Sequence, residues 1–359
     1  MKFNKNIMAL ATAAAFGLSG QAFAAGTAAG TTIDNSVSLT FTVDGENQTE
    51  GANATFVVDN KVDLTVSWDQ TALVSAVPDK DDAVLKFTIT NEGNNTQDFL
   101  LSLGESVDGT TLPYDDSDGN DTDNQNSEGT YAFYLDDGDD AEEIGADDVL
   151  ITSIEDLTAD SSAVIWVTAD IPAAAVDFDK IGLLLTVSAA DATGTILSET
   201  TGDKNSDLNG TPMIVFAEAE STVAAADEYD GQFTALAGID VVTANLETSK
   251  TVVVKSDPIN NTTNPRAIPG AIVTYTIEVE NVGRVAADSV RILDVINDID
   301  GLLDGSKGTI SVTHTGAGLV TDASDGTKVD YTLSTIVATD GTADSGPDYI
   351  SIAFDVEVD

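Results

Sequence analysis

The sequence predicts an all-β protein made of two antiparallel β-sandwich domains in tandem. Three observations support this prediction: apolar and polar residues alternate in many short segments, Gly, Asn and Asp separate these segments, and helical periodicity is nearly absent. Hydrophobic residues make up 42% of the chain, which is enough for buried cores. A mature chain of 335 residues (359 minus 24) exceeds what one sandwich usually holds, so two domains are expected.

Residues 1–24 are typical of a secretory signal peptide. Two lysines precede an apolar run from Ile7 to Leu18, and an A-x-A cleavage site ends at Ala24, directly before Ala25. The apolar run is too short for a membrane span, and no second long run follows it. We therefore expect cleavage between Ala24 and Ala25, secretion to the extracellular space or cell surface, and no membrane insertion.

The first domain is assigned to residues 36–248, after a flexible leader of small residues at 25–35. Ser36–Val43 alternates strictly and predicts a half-buried strand, and Asp44-Gly45 predicts the turn that follows it. An acidic loop is assigned to residues 115–148. The other strands predicted here are Thr55–Val58, Val62–Trp68, Val84–Thr90, Phe99–Leu103, Tyr131–Leu135, Val149–Ile154, Ala163–Thr168, Ile181–Ala189, Met213–Ala217 and Ile239–Ala244.

The second domain is assigned to residues 249–359, joined to the first through the Pro-bearing segment Ser256–Pro269. A turn at Pro269-Gly270 precedes a strand that alternates from Val273 to Val279, and an Asn281-x-Gly283 turn leads to a second strand around Val290. This pattern predicts the opening hairpin of an Ig-like sandwich. The alternation from Ile350 to Val358 predicts a final strand that is integral to this domain.

Residues 257–283, DPINNTTNPRAIPGAIVTYTIEVENVG, resemble the repeat of bacterial surface proteins known as domain of unknown function 11. Asn261 and Arg266 replace the usual Gly and Lys of that repeat. In the first domain, phrases such as GTTIDNSVSLTFTVDGENQTE, VLKFTITNEGNNTQDF and YLDDGDD are similar to segments found upstream of the repeat. The resemblance implies an Ig-like fold, a surface role and no established catalytic activity.

Two segments, KFTITNEGNNTQDF and TIEVENVGRVAADS, each contain a strand, an Asn-x-Gly turn and a return rich in small residues. This shared order indicates that the two domains arose by duplication of one unit.

Charge and composition exclude several functional classes. The chain has 62 acidic and 14 basic residues; loss of Lys2 and Lys5 with the signal peptide leaves 62 − 12 = 50 net negative charges. Such a surface repels nucleic acids and anionic membranes. Cysteine is absent and His314 is the only histidine, so neither a disulfide nor a His/Cys zinc site can form. His314 falls in phase with strand residues, and we do not expect an enzyme.

The segment Asp115–Asp148 contains 14 acidic residues and no basic residue. Oxygen-rich, Gly-containing loops bind Ca²⁺, and the tightest cluster here is Asp136, Asp137, Asp139 and Asp140 around Gly138. These four carboxylates are the candidate metal ligands, and Ca²⁺ is the only cofactor considered. The alternative interpretation is a solvated acidic loop.

Together these features predict a structural protein of the extracellular surface, matrix or a filament, acting through contacts with itself or with other surface proteins. The alternative is an adhesin-type binding module that recognises a glycan or a surface partner with the help of Ca²⁺. The strand Ser36–Val43 follows a mobile leader, so we expect it to be the element that can be exchanged with a neighbouring molecule.

Overall fold

A computed structural model of the protein describes residues 26–79, 83–106, 109–114, 127, 129–136, 138, 144–145, 148–200, 211–218, 229–296, 301–303, 306–315, 318, 320–338 and 349–359. Within these ranges all the regular secondary structure is β-strand, as the sequence predicts. The chain divides into two compact units. The first comprises Met1–Val74, Asp82–Asp170 and Ile181–Ile239, and the second comprises Ser75–Asp81, Ile171–Lys180 and Asp240–Asp359.

The strands up to residue 241 are, in chain order, β1 (Thr32–Val43), β2 (Glu46–Val57), β3 (Asn60–Val62), β4 (Leu64–Trp68), β5 (Val74–Ala76), β6 (Ala83–Asn91), β7 (Gln97–Glu105), β8 (Tyr131–Leu135), β9 (Val149–Ile151), β10 (Ser153–Leu157), β11 (Ser162–Ala169), β12 (Lys180–Ala190), β13 (Ile214–Phe216) and β14 (Gln232–Val241). The strands that follow are β15 (Leu246–Ser256), β16 (Ile272–Asn281), β17 (Ala287–Val295), β18 (Ile310–His314), β19 (Val320–Asp322), β20 (Lys328–Ile336) and β21 (Tyr349–Glu357).

Two five-stranded sheets, with orders β10-β7-β12-β14-β5 and β4-β6-β11-β8-β9, form the first sandwich. Alternation along β6 buries Leu85, Phe87 and Ile89 completely while the residues between them stay half-buried. Most of β12 is buried on both faces, which its nearly continuous apolar run KIGLLL favours. Short pairs, β1-β2 and β13-β3, complete the described sheets of this part of the chain.

The second sandwich has a four-stranded sheet, β15-β16-β21-β18, and a three-stranded sheet, β17-β20-β19. The final strand β21 lies in the middle of the larger sheet and pairs with both β16 and β18. Its inward residues Ile350, Ile352, Phe354 and Val356 are almost fully buried, and Phe354 stacks on Tyr275 with ring centroids 5.7 Å apart. The prediction that the last strand is integral to this domain is confirmed.

The prediction of a half-buried strand at Ser36–Val43 is wrong in its burial. This segment belongs to β1, which pairs along its whole length with β2, but the residues from Ser36 to Val43 are exposed on both faces of the ribbon. The predicted turn is present: Asp44 (φ 50°) and Gly45 (φ 88°) both adopt left-handed conformations, as a two-residue type I′ hairpin requires. The alternation of Ser36–Val43 correctly predicts which residues share a face of the strand, but no other part of the described fold covers the apolar residues.

The predicted hairpin between the strand starting near Val273 and the strand around Val290 is also wrong. The two strands, β16 and β17, belong to different sheets, so the Asn281-x-Gly283 turn carries the chain from one layer of the sandwich to the other. Side-chain hydrogen bonds of Asn281, described below, hold this crossing in place of a ladder between β16 and β17.

Ser256–Pro269 does not link the domains. It is a loop between β15 and β16, which pair with each other inside the second unit. The Asp257 carboxylate organises the loop by accepting the backbone N–H groups of Ile259 (2.7 Å), Asn260 (2.5 Å) and Arg266 (2.6 Å). These bonds, led by that of Asn260, lower the pKa of Asp257 from 3.8 to about 2. The sequence signal of Pro and Asn therefore marks an ordered loop.

The remaining strand predictions differ from the structure mainly at their ends. Val62–Trp68 and Val149–Ile154 are each split between two strands, and the strand predicted at Ile239–Ala244 is the last part of β14. Most of β2, the first part of β14, and the strands β5, β15, β19 and β20 were not predicted. No helix in the described ranges is long and apolar enough to span a membrane.

Candidate interaction surfaces

The β1-β2 ribbon carries a row of apolar residues along one face of β1. Val37, Leu39, Phe41 and Val43 follow one another along the first face of β1, and each is between 40% and 64% exposed. The alternate residues of β1 from Thr32 to Thr42 are Asp, Ser and Thr. On the same face, the register with β2 places Phe56 beside Ile33, and Glu50, Gln48 and Glu46 beside Leu39, Phe41 and Val43. An isolated two-stranded ribbon is marginally stable in water, so an exposed apolar row of this length indicates an interaction surface.

An asparagine holds the layer crossing of the first unit. Asn91, which is almost completely buried at the end of β6, donates through Nδ2 to the carbonyls of Asn95 (2.9 Å) and Leu157 (2.8 Å). Its Oδ1 accepts the N–H of Gly93 at 3.0 Å. A Cβ on Gly93 would lie 2.5 Å from the carbonyl oxygen of Lys61, so the close approach of the two backbones requires glycine here.

The second unit repeats this arrangement, which we call the Asn-Gly pin. Asn281 is fully buried and donates to the carbonyls of Val285 (2.9 Å) and Ile336 (3.1 Å), while its Oδ1 accepts the N–H of Gly283 (3.1 Å) and of Asn245 (3.1 Å). A Cβ on Gly283 would clash with the neighbouring backbone at residues 243–245.

Strand pairing around the two pins also matches. Leu64 of β4 lies opposite Asn91, and Leu246 of β15 lies opposite Asn281. The shared Asn-x-Gly phrase therefore corresponds to the same local structure in both units, and their origin by duplication stays a prediction.

The residue after each pin glycine ties the sandwich to the segment that precedes it. In the first unit, Asn94 Nδ2 donates to the carbonyl of Asp59 at 2.9 Å. In the second unit, Arg284 occupies the same position and donates to the carbonyl of Val241 at 2.6 Å. The chain just after β2 and the end of β14, which lead into the two sandwiches, are thus held by the same kind of hydrogen bond.

Arg284 also belongs to a buried ion network in the second unit. It contacts both carboxylate oxygens of Asp240 and, through Nε, Asp177 at 3.0 Å. Lys180, which is fully buried, lies 2.6 Å from the same Asp240 carboxylate. Asp240 and Asp177 together balance the two cations, while the Arg284 side chain stays 26% exposed. These contacts raise the pKa of Arg284 although its burial acts in the opposite direction.

The predicted calcium ligands fall mostly outside the described residues. Asp137, Asp139 and Asp140 lie outside them, and the described Asp136 uses Oδ1 to accept the N–H of Gly138 at 2.9 Å. Within the described part of the chain no group of three or more His, Asp or Glu side chains is arranged to hold a metal ion. The Ca²⁺ site stays a prediction, as does cleavage between Ala24 and Ala25, which also lie outside the described ranges.

His314 lies on β18, opposite Ile350 of β21, as its phase in the sequence predicts, and its side chain is exposed. A cleft of about 290 Å³ in the first unit is lined by several acids. Two of them are engaged with nearby backbone: Asp98 accepts the N–H of Asp156 at 2.7 Å, and Asp191 accepts those of Thr193 and Thr195. These two carboxylates hold turns.

Neither a protein-family profile nor a curated protein sequence matches the chain. Among solved structures, a chain named BspA_C_mut is 8% identical with a TM-score of 0.32, covering 82% of this chain and 90% of that one. The CupB6 tip adhesin from Pseudomonas aeruginosa is 10% identical with a TM-score of 0.25, covering 84% and 86%. The full-length major pilin SpaD from Corynebacterium diphtheriae is 13% identical with a TM-score of 0.17, covering 83% and 58%. Likeness at this level carries no information on function.

Proposed function

We propose that this chain is a structural protein of the extracellular surface or matrix that acts by associating with further copies of itself. The observation that supports the proposal is the β1-β2 ribbon, whose apolar row from Val37 to Val43 is exposed along its whole length. A secreted chain that left this row in water would expose a surface prone to uncontrolled association, so a specific partner surface is expected to cover it.

The acidic surface sets the conditions for association. With 50 net negative charges on the mature chain, two copies repel one another at low ionic strength, and the range of this repulsion shrinks to about 8 Å near physiological salt. Self-association is therefore expected to strengthen with added monovalent salt until charge is screened, and to weaken on dilution.

Sedimentation velocity of the mature chain, run over a range of protein and salt concentrations and paired with negative-stain electron microscopy, tests the proposal. Growth of mass with protein concentration, with regular polymers on the grids, is expected. A chain that stays monomeric at high concentration in marine-like salt would contradict self-association. Retention of such a monomer on a polysaccharide or on cells would instead favour the adhesin-type alternative.

A further inference from the structure

The two sandwiches contain corresponding strands that pair in the same order. In the first unit β6 pairs with β4 and β11, β11 pairs with β8, and β7 pairs with β10. In the second unit β16 pairs with β15 and β21, β21 pairs with β18, and β17 pairs with β20. With the Asn-Gly pins as reference points, β15, β16, β17 and β21 correspond to β4, β6, β7 and β11.

The first sandwich has strands beside β7 that have no counterpart among the described residues of the second. On the side of β7 away from β10, the sheet continues through β12, β14 and the short β5. Alternate residues of both strands are buried, including Leu183 and Leu185 on β12 and Phe233 and Ala235 on β14. In the second unit, the described sheet stops at β17, whose other neighbour is β20. The edge of β17 that corresponds to the β12 side of β7 therefore carries no described strand.

Residues of β15, in the facing sheet of the second sandwich, are more exposed than the corresponding residues of β4 in the first. Leu64, which lies opposite Asn91, is 0% exposed, but its counterpart Leu246, opposite Asn281, is 39% exposed. Further along β15, Val252 pairs with the core residue Tyr275 and so points to the same inner face, yet it is 54% exposed. The inner face of β15 thus leaves Leu246 and Val252 exposed on either side of Lys250.

The β1-β2 ribbon has the dimensions of the missing strands. It offers two paired strands of 12 residues each, whereas β12 and β14 have 11 and 10 residues. It also has the same position in the repeat. β2 leads to the Asp59 carbonyl bound by Asn94, just as β14 leads to the Val241 carbonyl bound by Arg284. A repeat therefore consists of a strand pair followed by a sandwich, and the pair β12-β14 completes the sandwich that precedes it.

Charge does not oppose this match once salt is present. Residues 32–57 of the ribbon contain four acidic residues and no basic residue. In the second unit, Lys250 of β15 pairs with Asp294 of β17 at 2.6 Å, and Arg291 of β17 pairs with Asp330 at 2.9 Å. Because these cations are balanced by nearby carboxylates, screening of the remaining acidic charge is what permits the two surfaces to approach.

We propose that the β1-β2 ribbon of one copy completes the second sandwich of another copy, pairing with β17 and covering the inner face of β15 as β12 and β14 do in the first sandwich. The 24 strand residues of the ribbon match one side of a standard protein interface, about 20–30 residues. Because the two surfaces differ, the contact is head-to-tail and propagates as an open filament. The inference rests on the proposed self-association and names the surfaces that perform it.

Paired substitutions test both surfaces. Leu39→Asp with Phe41→Asp places two charges on the apolar face of the ribbon, and Ser38→Asp with Thr40→Asp places the same charges on its polar face as a control. On the acceptor, Val252→Asp alters the inner face of β15, while Val253→Asp alters the opposite face of the same strand, where Val253 is already exposed. All six substituted positions are exposed in the free chain, so each of the four variants is expected to keep the far-UV circular dichroism and melting temperature of the wild type.

Sedimentation velocity should show that each apolar-face variant raises the concentration needed for polymers at least tenfold, while both controls polymerise like the wild type. The decisive step is mixing. The Val252→Asp chain keeps an intact ribbon and the Leu39→Asp, Phe41→Asp chain keeps an intact acceptor, so together they should form a 1:1 dimer that grows no further.

The outcomes separate the two proposals. Polymers from all variants, equal effects of Val252→Asp and Val253→Asp, or no dimer on mixing would overturn the ribbon contact while leaving self-association intact. A wild-type chain that stays monomeric would overturn both.

Discussion

Asn91 and Asn281 show how one side chain can fix a connection between two sheets. Each sits buried at the end of a strand, donates to two carbonyls and accepts from the N–H of the glycine two residues later. An amide is suited to this position because it combines two donors with an acceptor, whereas Asp would supply acceptors only. The sequence phrase Asn-x-Gly predicts a turn correctly, but the strands that it joins are identified only by the buried partners of the asparagine.

Substitution Asn281→Ala tests this role. The change leaves the buried carbonyls of Val285 and Ile336 without the amide donor, and we expect a loss of about 3 kcal/mol in the free energy of unfolding of the second unit. Urea denaturation followed by Tyr fluorescence measures it. Asn47→Ala, at an exposed position of β2, is the matched control and should change stability little. Equal effects of the two substitutions would contradict the pin.

The Asp240 carboxylate is expected to contribute strongly to the stability of the second unit. Asp240→Ala removes the carboxylate shared by the buried Lys180 and by Arg284, and breaking a buried ion pair typically costs about 3–5 kcal/mol. Thermal unfolding should show a large drop in the melting temperature. Lys255→Met, which removes an exposed ion pair with Asp355, is the control and should have little effect. A melting temperature unchanged by Asp240→Ala would show that the network is not needed for stability.

At the scale of elements, strands that look alike in sequence have different environments. β1 and β14 both alternate apolar residues, yet alternate residues of β14 are buried and the whole apolar row of β1 is exposed. The loop from Asp257 to Pro269 shows the reverse case, since Pro and Asn suggested a linker and a single carboxylate orders it into a compact turn. For β1 and β14 the packing of the rest of the fold decides the burial, whereas the loop is ordered by contacts within nine residues of Asp257.

The Asp257 loop gives a prediction of pH dependence. The pKa of Asp257 is depressed from 3.8 to about 2, so its ionised form is favoured by folding. Its contribution to stability is present above pH 3.8 and is lost as the pH falls through about 2. The pKa of Asp330 is lowered in the same direction, first by its hydrogen bond from Arg291, so the second unit as a whole should lose stability in acid.

Melting temperatures of the wild type and of Asp257→Asn, measured from pH 7 to pH 2, check this dependence. Asp257→Asn should be less stable than the wild type at neutral pH, and the difference should shrink toward pH 2. Asp44→Asn, in the exposed ribbon turn, is the control. A difference between wild type and Asp257→Asn that stays constant across this range would contradict the assignment.

At the scale of the whole molecule, the most prominent property is its net negative charge. A compact body with 50 net negative charges repels itself, and this repulsion opposes both folding and association. Several of the few basic residues pair with aspartates. Lys180 and Arg284 contact Asp240, and Arg291 and Lys328 contact Asp330. The basic residues thus stabilise specific contacts and leave the surface acidic.

Added monovalent salt should therefore raise the melting temperature of the mature chain. Screening reduces repulsion between surface carboxylates much more than it weakens buried pairs such as Lys180–Asp240. Differential scanning calorimetry between low and marine-like salt measures the effect, with dilute protein to keep association out of the comparison. A melting temperature that is flat or falls over this range would contradict it.

The sequence by itself determined the all-β class, the positions of most strands, the Asp44-Gly45 turn and the acidic character of the protein. These properties follow from period-two alternation, from the conformational freedom of glycine and from composition, all of which act over a few residues. The tertiary structure alone decided which sheet each strand joins and which apolar faces are covered. Leu64 and Leu246 stand in the same local setting, opposite a pin asparagine, yet one is fully buried and the other is not. Because their local settings are alike, the difference arises from tertiary packing, which local pattern does not encode.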